Sequence, residues 1–145
     1  RYDSLLLAGP PSLGLLTVNG LVAAAHGVII PVQCEYLALE GLGQLTQTIQ
    51  RVRTSLYPDL RVRGVILTMY DGRTRLATDV VGEVRRHFPD QVFEAVIPRS
   101  IRLAEAPSYG KPISLYAPES LAAKAYESLA REVLAGDGVH IPQFN

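Results

Sequence analysis

Residues 62–88 have the sequence VRGVILTMYDGRTRLATDVVGEVRRHF, which combines a strand, a loop and a helix in one unit. Residues 62–69 become rich in β-branched residues towards their end, which is typical of a buried strand. Thr74 can cap a helix that we expect to end near Phe88. Apolar residues recur at every fourth position of that helix, at Leu76, Val80, Val84 and Phe88. A second apolar run follows at 92–97, so the pattern predicts two parallel strands joined by a helical crossover.

The same alternation of strand and helix extends to both sides of this unit. We predict further strands at 4–8 and 27–32, and helices at about 13–25, 40–56 and 119–134. Continuous apolar strands joined by helices indicate an α/β fold, in which a parallel sheet of four strands has helices on both faces. We expect residues 98–112 to form a long loop and residues 136–145 to form a loose tail.

The predicted topology also places the functional edge of the sheet. Right-handed crossovers bring the carboxyl ends of parallel strands to one edge, where ligands of open α/β sheets bind. In this chain these ends are at 8–10, 32–33, 69–71 and 97–99. The loops that follow them are therefore the first place to look for a site.

Composition excludes several classes of protein. The chain has 145 residues, of which 48% are hydrophobic and 19% are charged, as expected for one globular domain. Cys34 is the single cysteine, so this chain alone builds neither an internal disulfide nor a cysteine-ligated zinc or iron–sulfur centre. No apolar run is long enough for a membrane span. The chain starts Arg1-Tyr2-Asp3, which is neither a signal peptide nor an initiator methionine, so we expect an intracellular and incomplete chain.

Positive charge is concentrated in the middle of a chain whose formal net charge is +0. Residues 51–102 contain ten arginines and six acidic residues, which gives this segment a net charge of +4. A local basic patch can bind phosphate groups even when the whole chain is neutral. The alternative is that salt bridges with nearby carboxylates neutralise these arginines.

Motifs for independent catalysis are absent from the sequence. Neither G-x-x-x-x-G-K-[ST] nor G-x-G-x-x-G occurs, so the chain shows no phosphate-binding loop of its own. The three histidines have no metal-ligand spacing with each other or with the cysteine, and no nucleophilic triad stands out. Two strand-end loops do carry arginines, at 68–74 and 97–108, and together they could grip phosphate groups. In the alternative interpretation these arginines pair with Asp71 and Glu105.

Five segments resemble the ParA (Soj) family of deviant-Walker partition ATPases, over about residues 2–134. They are PPSLGLLTVNGL at 10–21, PVQCEYLALEGL at 31–42, LTMYDGRTRLATDVV at 67–81, IPRSIRLAEAPSYGKPI at 97–113 and SLAAKAYESLAREVL at 120–134. The resemblance implies a P-loop NTPase-like fold that acts as an ATP-dependent switch. It also implies homodimers around ATP and Mg²⁺, binding to non-specific DNA, release by a ParB-type partner, and a cytoplasmic, nucleoid-associated location in bacteria.

Individual positions carry over from the family motifs. Pro10, Pro11 and Ser12 match the switch loop after the Walker B strand. Pro98, Arg99 and Ser100 match the loop beside the adenine, although family members often have asparagine where this chain has Ser100. The resemblance implies that Arg73 and Arg102 face DNA, which agrees with the concentration of positive charge at 51–102.

Two departures from the family pattern concern catalysis. The deviant Walker A loop is absent, and the Walker B aspartate falls at Ala8, which has no oxygen for Mg²⁺ or its water. We therefore interpret residues 1–135 as the carboxyl-terminal part of a ParA-like ATPase domain, with 136–145 as a loose tail. For this chain alone we expect no catalytic residues, no metal site and no bound cofactor.

Two other functions remain open on the sequence. The first is a non-catalytic ParA-like module that binds DNA or protein, which the missing loop and Ala8 favour. The second is a related MinD-type membrane ATPase, which the tail at 136–145 argues against because it has no lysine or arginine for a membrane surface. We also expect one sheet edge and one helix face to be exposed in the isolated chain, and we expect the chain to associate for this reason.

Overall fold

Three parallel strands form one sheet in the order β1-β2-β3 in the computed structural model, which describes residues 2, 4–9, 14–35 and 38–138. The strands are β1 (Val28–Gln33), β2 (Val62–Tyr70) and β3 (Val92–Pro98). The helices are α1 (Leu15–Ala23), α2 (Ala38–Ser55), α3 (Arg75–His87), α4 (Ile101–Glu105), α5 (Ile113–Tyr116) and α6 (Leu121–Gly136), with a 3₁₀ turn at Ala106–Tyr109. The predicted α/β parallel architecture is confirmed.

The centre of the sheet is β2, which pairs with a strand on each side. Val65 aligns with Ile30 of β1 and Val92 of β3, while Leu67 aligns with Val32 and Val96. Val65 and Leu67 are both 0% exposed, as their apolar side chains require. The core cluster around them consists of Leu21, Ile30, Val32, Cys34, Leu42, Ile49, Val52, Leu60, Val62, Val65, Leu67, Ala77, Val80, Val84 and Phe88.

Helices cover both faces of the sheet. Val92 and Val96 of β3 pack against the core cluster, which holds buried residues of α1, α2 and α3. Phe93 points to the opposite face because successive strand residues alternate. There it lies beside Glu132 and Val133 of α6. The sheet therefore has α1, α2 and α3 on one face and α6 beside the other.

The predicted apolar stripe of α3 is confirmed at most of its positions. Thr74 caps the helix, since its hydroxyl accepts a hydrogen bond from the Ala77 amide at 3.2 Å. Val80, Val84 and Phe88 are buried, but Leu76 is 45% exposed. Leu76 precedes the buried Ala77 by one position, so the buried face of the helix begins at Ala77 instead.

The predicted strand at 4–8 is wrong in this structure. Residues 4–9 form no strand, and no backbone hydrogen bond joins them to another described residue. Leu5, Leu6 and Leu7 are 81%, 84% and 60% exposed. An extended segment becomes a strand only when a neighbouring strand pairs with its backbone groups, and none of the described strands does so.

The predicted loop at 98–112 is also wrong, because much of it is helical. The hydroxyl of Ser100 accepts a hydrogen bond from the Leu103 amide and caps α4. A 3₁₀ turn follows with proline in its first turn, and Gly110 ends it in the left-handed region at φ 61°. Pro112 then precedes α5. Pro107 and Pro112 of this predicted loop thus lie at helix starts, where proline is tolerated.

The last helix runs two residues further than predicted. It starts after Ser120, whose hydroxyl accepts a hydrogen bond from the Ala123 amide at 3.1 Å, and it ends at Gly136. Residues 139–145 of the predicted tail lie outside the described residues. Within the described part of the chain, no helix has both the length and the hydropathy that crossing a bilayer requires.

Candidate functional site

The loops that leave the three strands meet at the carboxyl edge of the sheet. The Arg99 amide, after β3, donates a hydrogen bond to the Tyr70 carbonyl at the end of β2, at 2.9 Å. The Cys34 amide, after β1, donates to the Thr68 carbonyl at 2.8 Å. An ion pair between Arg99 and Glu35 joins the exits of β3 and β1. The predicted convergence is confirmed for these three strand ends.

Asp71 and Arg73 form a bidentate pair in the loop after β2. Arg73 Nε lies 2.9 Å from Asp71 Oδ1, and its terminal nitrogen lies 2.8 Å from Oδ2. The Arg73 amide donates to the same Oδ1 at 3.1 Å. These hydrogen bonds, first that of the guanidinium, lower the pKa of Asp71 from 3.8 to about 2. The carboxylate is therefore ionised at neutral pH and offsets the charge of Arg73.

Arg102 has a carboxylate neighbour of its own on α4. Its guanidinium lies 3.9 Å from Glu105 Oε2, which is a loose ion pair of the i,i+3 type. The Tyr116 hydroxyl donates a hydrogen bond to Glu105 at 2.6 Å, and this bond is the main cause that raises the pKa of Tyr116. Tyr116 also stacks on Tyr109, with ring centroids 5.1 Å apart. Arg102 thus lies beside a small polar and aromatic cluster.

The predicted adenine-loop residues lie at the end of β3 and directly after it. Pro98 is the last residue of that strand and is half-buried, while the side chain of Arg99 is 51% exposed and paired with Glu35. The hydroxyl of Ser100 is used as the cap of α4. These three residues lie together at the sheet edge, next to the loop that carries Asp71.

The predicted switch-loop residues Pro10, Pro11 and Ser12 lie outside the described residues. Ala8, which the resemblance aligns with the Walker B aspartate, is described and exposed, and it offers only a methyl group. Among the described residues, no group of three or more histidine, cysteine, aspartate or glutamate side chains could hold a metal ion. The described residues thus provide no carboxylate cluster for Mg²⁺, and no hydrolysis step follows from them.

The end of β2 has an irregular backbone. Met69 has a φ of 55°, in the left-handed region that non-glycine residues rarely adopt, and the register between β2 and β3 shifts between Leu67 and Tyr70. This conformation costs about 1–2 kcal/mol in a residue with a Cβ atom. It leads directly into Tyr70 and Asp71, so the strained segment lies immediately before the Asp71–Arg73 pair.

Glu35 and Cys34, which follow β1, also lie at this edge. Glu35 pairs with Arg99 from 64 positions away along the chain. The signal that could have found it is its place two residues after the end of β1, at the same edge as Arg99. Cys34 is buried at this edge, and burial raises the pKa of its thiol, so it is not poised as a nucleophile.

Comparison with solved structures gives the class of this fold. Cobyrinic acid a,c-diamide synthase from Mycobacterium smegmatis, solved with bound ADP and magnesium, superposes with a TM-score of 0.64 at 37% identity. The match covers 94% of this chain and 49% of that chain. The fold is therefore that of the P-loop NTPase-like α/β proteins.

Comparison with protein sequences narrows this class to a family. The chromosome-partitioning ATPase Soj of Treponema pallidum is 54% identical over 137 residues, which are 94% of this chain and 54% of that protein. The protein of the same name from Thermus thermophilus is 56% identical over 134 residues, 92% of this chain and 53% of its own length. Family profiles described as AAA domain and as cellulose biosynthesis protein BcsQ match residues 1–62 and 53–134.

The chain belongs to the Soj/ParA family. It spans about half the length of the curated relatives that it matches.

Proposed function

We propose that this chain is the carboxyl-terminal part of a Soj/ParA partitioning ATPase, with residues 1–135 belonging to one ATPase domain. In this proposal the whole protein forms a homodimer around ATP and Mg²⁺, binds DNA without sequence preference, and leaves DNA when a ParB-type partner stimulates hydrolysis. It acts in the bacterial cytoplasm, on the nucleoid. The observation that carries the proposal is sequence identity. Two proteins named chromosome-partitioning ATPases are 54% and 56% identical to this chain, over 94% and 92% of its length.

Arg73 and Arg102 are the proposed DNA contacts. Their side chains are 90% and 62% exposed, so a phosphate backbone can reach both guanidinium groups. The carboxylates beside them reduce the local positive charge, and DNA phosphates must compete with these carboxylates for hydrogen bonds. Binding of this kind is electrostatic, and it weakens steeply as salt increases.

The proposed nucleotide-binding residues at the end of β3 and directly after it are Pro98, Arg99 and Ser100, in the loop beside the adenine. Their support is their place at the carboxyl edge of the sheet, where ligands of open α/β folds bind. Pro10, Pro11 and Ser12 are proposed as the switch loop. ATP and Mg²⁺ belong to the whole protein, because neither a phosphate-binding loop nor a carboxylate at position 8 is present in this sequence.

DNA retention by the natural polypeptide, purified as its gene encodes it, tests this function. Binding to duplex DNA that requires ATP and falls with salt supports the proposal, while binding without any effect of ATP contradicts it. Arg102→Ala should weaken binding. Arg131→Ala is a matched control, because Arg131 is also an exposed arginine paired with a glutamate of its own helix, at 2.8 Å. It should bind as the wild type does.

A non-catalytic module that binds DNA or protein is the second candidate. The observation that favours it is Ala8, whose methyl group cannot replace a Walker B carboxylate. This candidate predicts salt-sensitive DNA binding with no dependence on ATP and no hydrolysis. An ATPase assay of the natural polypeptide, with and without DNA, separates the two functions.

A further inference from the structure

The arginines at the carboxyl edge of the sheet are not equivalent. Four arginines lie within five residues after β2 or β3, and three of them have carboxylate partners among the described residues: Arg73 with Asp71, Arg99 with Glu35 and Arg102 with Glu105. Arg75, the first residue of α3, is exposed and makes no ion pair with any residue that the structure describes. Among the arginines described at this edge, it is therefore the one whose positive charge no carboxylate compensates.

Nothing within α3 compensates this charge either. The first turn of the helix contains no acidic residue. Asp79 lies one turn further along the helix, yet no ion pair joins it to Arg75. A cation in the first turn opposes the helix dipole, so the position of Arg75 does not serve helix stability. An external anion would compensate this charge.

We propose that Arg75 is a further DNA-phosphate contact, beyond the two arginines that match the family's DNA-facing positions. The inference rests on the proposed DNA binding and names a residue that the resemblance does not. Arg75 is two residues from Arg73 at the same strand end, so DNA that reaches one guanidinium lies close to the other. Arg73 already directs two of its nitrogens at Asp71, whereas the Arg75 guanidinium makes no hydrogen bond among the described residues, so its five N–H donors can meet phosphate.

Arg85 supplies a matched control on the same helix. It is exposed, it lies in the last turn of α3, and it too makes no ion pair with a described residue. Ten residues separate it from Arg75, or about 15 Å along the helix axis. Arg75→Ala and Arg85→Ala therefore remove the same charge from opposite ends of one helix.

The test uses the natural polypeptide with ATP and a fluorescein-labelled duplex, at salt concentrations between about 50 and 200 mM. Arg75→Ala should raise the Kd about threefold to tenfold, equally on two unrelated sequences, and should lower the slope of log Kd against log salt by about one. Arg75→Lys should restore most of the affinity because it keeps the charge. Arg85→Ala should change the Kd by less than about twofold.

Two different failures have separate meanings. If the wild type binds DNA and Arg75→Ala matches Arg85→Ala in both Kd and salt slope, the role of Arg75 is overturned and the proposed DNA binding stands. If the wild type itself does not bind DNA, the proposed function fails and this inference fails with it. Thermal melting of each variant checks that the exposed substitution leaves the fold intact.

Discussion

At the scale of single residues, Asp71 decides the charge that the edge of the sheet presents. Its carboxylate accepts two hydrogen bonds from the guanidinium of Arg73 and one from the backbone. The positive charge of Arg99, in the neighbouring loop, makes a smaller contribution that also lowers the pKa of Asp71. Because Asp71 stays ionised, Arg73 meets any phosphate as half of a neutral pair rather than as an isolated cation.

The ionisation of Asp71 gives a prediction that depends on pH. The folded-state pKa of about 2 lies below the ordinary 3.8, so protonation favours the unfolded chain. The stabilisation from Asp71 is therefore complete above 3.8 and is lost as the pH falls through about 2. In carboxyl NMR titrations, we expect a midpoint near 2 in the wild type and a return towards 3.8 in Arg73→Ala.

Denaturant unfolding of Asp71→Asn checks the same linkage independently. The difference in unfolding free energy between this variant and the wild type should shrink as the pH falls from 3.8 towards 2. In the NMR titration, a midpoint of Asp71 near the ordinary 3.8 in the wild type would show that Arg73 does not bind this carboxylate in solution.

At the scale of elements, the carboxylate of Glu132 links α6 to the backbone of β3. Glu132 accepts hydrogen bonds from two consecutive backbone amides, those of Glu94 at 2.8 Å and Ala95 at 2.7 Å. Among the described strands β3 is an edge strand, and unpaired amides at an edge need partners. The ionised side chain makes both hydrogen bonds stronger than neutral ones.

Removal of this carboxylate should loosen the helix from the sheet. We expect Glu132→Ala to lower the free energy of unfolding by about 1–3 kcal/mol, because two amides lose their acceptor. Glu132→Gln should cost less, since its amide oxygen still accepts. Urea denaturation measures both. Glu127→Ala is the control: this exposed glutamate of the same helix pairs, among the described residues, with Arg131 alone, so it should cost less than about 0.5 kcal/mol. Equal losses in Glu132→Ala and Glu127→Ala would refute the anchoring role.

Packing between β2 and β3 depends on a glycine. The ring of Phe93 lies over Gly64 so closely that a Cβ atom there would overlap its Cε2 and Cζ atoms. Gly64→Ala therefore forces the ring to move, and we expect a loss of about 1–3 kcal/mol in unfolding free energy.

A double-mutant cycle isolates this contact. In the Phe93→Ala background the ring is gone, so Gly64→Ala should cost much less than it does in the wild type. Denaturant unfolding of the four proteins gives the coupling energy. Additive losses would mean that the ring is not what excludes a larger residue at position 64.

At the scale of the whole molecule, local sequence patterns predicted the repeated strand–helix units. They failed where a structure depends on a distant segment, such as a neighbouring strand or an ion-pair partner. Residues 62–98 follow their pattern because strand, cap and apolar stripe all lie within one stretch. The segment 4–8 has the composition of a strand but no neighbouring strand among the described ones. Arg73 and Arg102 pair with carboxylates two and three residues away, as the alternative interpretation held. The pair of Arg99 with Glu35 joins distant segments, so its signal is the predicted meeting of strand ends and not a local pattern.

The same unpaired features predict how the isolated 145-residue chain behaves. Leu5 and Leu6 are each more than 80% exposed, and β1 pairs only with β2, so its other edge has no partner among the described strands. Exposed leucines and an open strand edge each favour contacts between copies. In sedimentation velocity, we expect the chain to associate increasingly with concentration.

Leu6→Lys should shift the chain towards monomer, because a charge opposes burial of this segment between copies. Leu121→Lys, at a residue that is 79% exposed on α6, should not shift it. A wild-type chain that stays monomeric at every concentration would show that these leucines and this edge are tolerated in water, and that the relatives' longer chains are not needed to cover them.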